Sequence, residues 1–243
     1  MNKMLKPVGL VLFIGVCIFL IYDATNKTYY DPHLGVDVPK SYPLVGLDVS
    51  HHQGEIDFEK LGAFQFHDTL SFVYIKASEG VSHVDRQYKV NAKGFEGIKK
   101  PYGFYHFFQP SQSALQQAKH FINSVQSLNS QLKPVLDIEL LLPLSTNEMI
   151  DSIQVYMSEI EYRLKTKPII YTYRSYYEDY LKGALDDQVF FWIADYSKNV
   201  DLISDNQIVI WQFSDKGKMN GINELVDLNV ATRNFDSIVR ILK

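Results

Sequence analysis

Four acidic residues stand in strand-like stretches of the chain where they could support acid–base chemistry. Asp48 lies in VGLDVSHHQG, Asp137 and Glu139 in KPVLDIEL, and Asp227 in LVDLN. Asp137 and Glu139 are two positions apart, so in extended chain both carboxylates point to one face and Ile138 to the other. Crowded like charges raise the pKa of one member, which lets a carboxyl keep its proton near neutrality. Glycoside hydrolysis needs that combination, one acid to protonate the leaving oxygen and one carboxylate to answer the positive charge at the anomeric carbon. The competing explanation makes these acids helix caps or partners of Lys76 and Lys133. It fits Asp137 and Glu139 poorly, because burying two unpaired carboxylates in an apolar strand has no structural benefit.

Metal chemistry finds less support. His51, His52 and His106 are available, but the adjacent pair would face opposite ways in extended chain, and no H-x-x-x-H or HExxH spacing occurs. Neither a metal nor another cofactor is expected. The aromatic fraction of 14%, with 16 Tyr, 15 Phe and 2 Trp, suits either an enlarged core or a sugar-binding surface, since a pyranose offers C–H bonds to a ring.

Positioning these acids requires a scaffold. Short apolar blocks rich in Val, Ile, Phe and Tyr read as buried strands at 45–50, 70–77, 102–108, 134–140, 168–173, 189–194, 207–213 and 225–228. Amphipathic helices lie between them. Ser113 with Gln116 and Ser145 with Glu148 resemble capping boxes that open two of these helices. Strands alternating with helices predict an α/β protein with a mainly parallel sheet, and about eight strands in ~200 residues favour a closed TIM-like barrel. The connection after residue 194 is too short for a full helix, so the last third of the barrel should be helix-poor. In such a barrel the carboxyl ends of the strands form the active-site face, which would bring the four acids to one mouth.

The length of 243 residues allows one large domain, and the 46% hydrophobic content is that of a folded protein. A net charge of -4, falling to -6 without the first 22 residues, argues against a nucleic-acid partner. The single Cys17 excludes an intramolecular disulfide. Two lysines in MNKMLK precede the uncharged run Pro7 to Tyr22, the pattern of a signal peptide or short membrane anchor. The boundaries expected are 1–22 for that segment, 23–43 for a linker without periodicity, and 44–243 for the barrel. An exported monomer follows, either released or associated with the membrane through its amino terminus.

Eight ordered blocks carry a family resemblance. GLDVSHHQGEIDF at 46–58, FVYIKASEG at 72–80, GFYHFF at 103–108 and LDIE at 136–139 come first; IIYTY at 169–173, FFWIADY at 190–196, IWQFSDKG at 210–217 and GINELVDLN at 221–229 follow. Together they resemble the glycoside hydrolase family 25 lysozymes, the N-acetylmuramidases of the Chalaropsis type. The resemblance implies five β/α units followed by three strands, and cleavage of the β-1,4 bond between N-acetylmuramic acid and N-acetylglucosamine in peptidoglycan glycan strands. It makes Glu139 the general acid/base and Asp137 its electrostatic support, with Asp48 and Asp227 completing the acidic mouth. Candidate substrate contacts are Gln53, Lys76, Tyr105, Tyr171, Tyr173, Trp192, Tyr196, Trp211 and Gln212. A chitinase-like hydrolase of acetamido sugars and a peptidoglycan-binding protein of the same fold are the alternatives; the DxxDxDxE pattern of the former is absent from LKPVLDIE.

Overall fold

The computed structural model describes residues 27–63, 70–140, 145–197, 205–233 and 235–240. The amino-terminal apolar run and Cys17 lie outside the described residues. Eight strands close into a barrel: β3 (Val45–Val49), β4 (Leu70–Glu79), β6 (Tyr102–Phe107), β7 (Val135–Asp137), β8 (Ile169–Tyr173), β9 (Phe191–Ala194), β10 (Ile208–Met219) and β11 (Ile222–Ala231). They pair in the order β3, β11, β10, β9, β8, β7, β6, β4, and the β3–β4 pairing closes the ring. All neighbours are parallel except β10–β11 and β11–β3, because β11 returns from β10 through a tight hairpin. A two-residue strand β5 (His83–Val84) folds back on the end of β4.

Helices α1 (Phe58–Ala63), α2 (Tyr88–Gly97), α3 (Ala114–Val125) and α4 (Thr146–Leu164) follow the first four barrel strands, and a short helical turn at Arg174–Tyr176 follows the fifth. The segment between β9 and β10 includes residues that are not described, and β10 runs directly into β11. This is the helix-poor closing third expected from the spacing. Local chemistry sets the starts of the two longest helices: the Ser145 hydroxyl accepts from Glu148 N–H while the Glu148 carboxylate accepts from Ser145 N–H, and Ser113 accepts from Gln116 N–H.

Strand alternation divides the apolar residues into two layers. Phe72, Tyr74, Val135, Ile169 and Trp192 belong to one cluster within the barrel, whereas Val73, Ile75, Phe104, Leu136 and Ile170 pack outward under the helices. The interior is crowded enough to require Gly46, where any Cβ would meet the Phe72 ring at 2.3 Å. The packed interior forms a floor beneath the carboxyl ends of the strands.

The linker expectation is corrected in its described part. Strands β1 (Thr28–Asp31) and β2 (Val36–Pro39) form an antiparallel hairpin. Asp31 Oδ1 accepts from His33 N–H and Leu34 N–H, Gly35 adopts a positive φ of 71°, and Leu34 and Val38 are buried in the core. Lys218 N–H donates to Leu34 O at 2.9 Å, fastening the hairpin to β10. Four-residue strands are too short to show a period, and the turn chemistry of Asp31 and Gly35 is the only local signal.

Candidate active site

Asp48, Tyr105, Asp137, Glu139, Tyr171, Trp192 and Asp227 line one cavity of ≈ 80 Å³ at the barrel mouth. The four acids come from β3, from the end of β7 and just beyond it, and from β11, as strand spacing predicts. Asp227 is the register partner of Asp48 across β11–β3. Like charges placed directly opposite in an antiparallel pair are destabilising, so the fold has no structural reason to keep them there.

The carboxyls form two pairs. Asp48 with Asp227, and Asp137 with Glu139, stand close enough that each member acts on the other's titration. Burial first, then the Asp227 charge, pushes Asp48 well above the ordinary carboxylate range. Burial, then the charge of Asp215, lifts Asp227 to about 6. Burial followed by the Glu139 charge raises Asp137 strongly; burial raises Glu139, with Asp137 and Lys76 opposing. Asp137 is 4% exposed and Glu139 half-buried, so burial favours the neutral form more strongly at Asp137.

A chain of donors converges on Asp48. Trp192 Nε1 donates to Asn229 Oδ1 at 2.8 Å, and Asn229 Nδ2 donates to Asp48 Oδ2 at 2.8 Å. From the other side the Tyr171 and Tyr196 hydroxyls donate to Gln212 Oε1 at 3.0 and 2.7 Å, and Gln212 Nε2 donates to the same Asp48 oxygen at 3.0 Å. Asn229 escapes sequence reasoning because an amide in a strand carries no chemical signature; its one signal is the even spacing from Asp227, which places both on one face.

The expected contact residues separate into groups. Tyr105, Tyr171 and Trp192 line the cavity, and Trp192 meets Tyr171 edge-on at a ring separation of 4.9 Å. Gln212 lies behind it, buried, with both ends of its amide engaged as described. Lys76 is buried beside it, paired with Glu79 at 2.8 Å and lying 4.8 Å from the Phe107 ring centroid, and its charge opposes the rise at both Asp137 and Glu139. Gln53 is not brought to the cavity: its carbonyl oxygen accepts from Ser50 N–H and its amide donates to Leu225 O, fastening the turn after β3. Tyr173 packs edge-on against Tyr176. Trp211 faces away from the mouth because its neighbour Gln212 faces in; its Nε1 donates to Asp195 O. Lys133 lies over the Phe190 ring and pairs with none of the four acids.

The histidines also depart from an extended-chain picture. Residues 51–53 form a 3₁₀ turn, which brings the His51 and His52 rings to 4.1 Å instead of sending them apart. His51 Nδ1 meets Asp85 at 2.6 Å. His106 is buried, and burial lowers its pKa to about 3, so it is neutral. Its Nδ1 accepts from the Ser78 hydroxyl and its Nε2 donates to Gln117, whose amide holds the 109–112 loop. Among the described residues no group of three or more His, Cys, Asp or Glu is arranged to hold a metal ion.

Comparison with known proteins gives a consistent family. The family model for glycosyl hydrolases family 25 matches residues 47–222. The uncharacterized protein YegX of Escherichia coli CFT073 is 33% identical over 199 residues, covering 80% of this chain and 72% of YegX. The autolytic lysozyme of Clostridium acetobutylicum is 31% identical over 189 residues, covering 76% of this chain and 55% of that enzyme. Among solved structures, a family 25 glycosyl hydrolase from Bacillus anthracis superposes with a TM-score of 0.73 at 27% identity, covering 85% of this chain and 96% of that one. With the barrel order, the acidic mouth and the matched span in agreement, the chain belongs to the glycosyl hydrolases family 25.

Proposed function

We propose that this glycoside hydrolase is a lysozyme that cleaves the β-1,4 bond between N-acetylmuramic acid and N-acetylglucosamine, with Glu139 as general acid and then general base. The observation that carries this reading is the convergence of four carboxyl groups on one aromatic-lined cavity in a family 25 barrel. Its relatives include an autolytic lysozyme and the lysozyme M1 of Streptomyces globisporus.

Glu139 is the more exposed member of its pair and so the one that reaches the glycosidic oxygen. Glu139 gives its proton to the leaving oxygen and, left as a carboxylate, takes a proton from the attacking water, while Asp137 supports the developing positive charge as a carboxylate. Asp48, fixed by two amide donors, and Asp227 supply negative potential from the opposite wall. The Tyr105 and Tyr171 hydroxyls, whose pKa values are raised by burial and then by the neighbouring acids, stay neutral; Tyr105 is a donor for sugar oxygens, and Tyr171, whose proton goes to Gln212, is an acceptor for a sugar hydroxyl. Trp192 offers an apolar edge. Purified peptidoglycan treated with the enzyme should yield new reducing ends on muramic acid, read by mass analysis; N-acetylglucosamine ends would indicate a different hydrolase, and wall binding without products a binding protein.

Peptidoglycan lies outside the cytoplasmic membrane, so the same reading has residues 1–22 carry the barrel across, with Lys3 and Lys6 keeping the amino terminus inside. A retained anchor would hold a monomeric barrel close to the membrane, because hairpin β1–β2 begins at Thr28. Fractionation of the host with intact-mass measurement distinguishes an anchored chain from a released one, and a cytoplasmic full-length product would contradict export.

A further inference from the structure

A second groove of ≈ 320 Å³ opens between hairpin β1–β2 and β10, beside the mouth and outside the cavity that holds the four acids. Its floor is Trp211 and Phe213, nearly buried, and its walls carry the exposed rings of Tyr30 and Tyr196, 63% and 47% accessible. Ser214 and Asp215 add polar groups along the β10 side. The hairpin that supplies Tyr30 precedes residue 47, where the family match begins. The size is at the lower end for a ligand pocket, room for one sugar unit instead of a folded partner.

Two features join the groove to the mouth. Tyr196 links the two: its ring is a groove wall and its hydroxyl donates to Gln212, which in turn donates to Asp48 at the mouth. Asp215 lies on the groove and its charge acts on Asp227. A chain leaving the mouth past Tyr196 therefore enters the groove directly. Aromatic walls with hydroxyl and carboxylate acceptors suit a pyranose, whose C–H face packs on a ring while its hydroxyls donate at the edge.

We propose that this groove is an additional glycan subsite, which holds one acetamido sugar of the same strand whose scissile bond lies over the mouth, with Tyr30 as its stacking platform. The inference rests on the hydrolase reading but is tested without turnover. Peptide-free glycan strands and a tetrasaccharide, both prepared from peptidoglycan, are titrated against the full chain carrying Glu139→Gln, alone and combined with Tyr30→Ala or Tyr30→Phe. Tyr30→Ala should weaken binding of the long strands about fivefold and leave the tetrasaccharide unchanged, whereas Tyr30→Phe, which keeps the ring, should bind both like its parent. Equal affinity for long strands with and without Tyr30→Ala, or equal losses for both lengths, would overturn the subsite. If Tyr30→Ala unfolds the hairpin, shown by a lower unfolding temperature, the Tyr30→Phe result is joined by Tyr30→Leu, which must lose long-strand affinity at unchanged stability. Failure of the hydrolase reading would show separately, as absence of new reducing ends from the unsubstituted enzyme.

Discussion

The two carboxyl pairs face each other across the barrel yet are supported in opposite ways. Asp48 on β3 and Asp227 on β11 sit on neighbouring strands, with β7 and its Asp137 on the far side of the ring. Asp48 receives two amide hydrogen bonds on one oxygen, each backed by an aromatic donor, so its position is fixed. Asp137 has no such frame: Oδ1 is buried without a hydrogen-bond partner, and its neighbours are Glu139 and the charge of Lys76. Burial of an unsatisfied carboxyl is costly, so the pair at β7 does not serve stability. One wall is held by hydrogen bonds, and the other keeps a buried carboxyl oxygen without one.

The sharpest way to break this comparison is Glu139→Gln, whose amide cannot donate a proton of comparable acidity. Turnover of peptidoglycan is expected to fall by ~10²–10⁴-fold, with the alkaline limb of the pH profile lost and the unfolding temperature nearly unchanged. More than half of the original rate would remove Glu139 from the proton pathway.

Asp227 tests the opposite wall through stability. Its pKa is raised from 3.8 to about 6 by burial and then by Asp215. The folded state therefore binds more protons than the unfolded one between those values, and stability declines as pH rises through that window. Asp227→Asn should relieve this cost, raising stability by at most about 3 kcal/mol at pH 7.5 and by much less at pH 4, while lowering turnover. Denaturant unfolding at both pH values checks the sign; equal effects at the two would contradict it.

Asn229→Ala removes the donor to Asp48 and the acceptor of Trp192 together. A loss of roughly 1–3 kcal/mol in urea unfolding is expected, with reduced kcat. Tyr196→Phe is the mildest test. Gln212 retains Tyr171, so about 0.5–1.5 kcal/mol and a few-fold in rate should be lost. If Tyr196→Phe proved as damaging as Asn229→Ala, the frame around Asp48 would depend on the rim and not on β11.

The eight barrel strands and the acids at their ends could be read from sequence because each reports a local rule. Short β-branched and aromatic runs must be buried, and even spacing fixes which side chains share a face. The 3.6-residue period and Ser-x-x-Glu or Ser-x-x-Gln starts gave the helices in the same way. Candidate contacts were less secure. Trp211 and Gln212 are adjacent, so only one could face the mouth, and only strand pairing decided for Gln212. Gln53 looked available for a sugar until the turn after β3 consumed both ends of its amide.

What the sequence by itself determined is the set of local patterns: element types, their order, and the shared face of Asp137 with Glu139. Barrel closure decided everything that depends on distance through space. It set Asp227 against Asp48 across 179 positions of chain, joined Trp192 to Asn229, and folded a four-residue-strand hairpin onto β10. It also determined how strongly each acid's pKa is raised. A carboxyl's pKa is set by how much water and charge surround it, and neither quantity exists until the strands have closed.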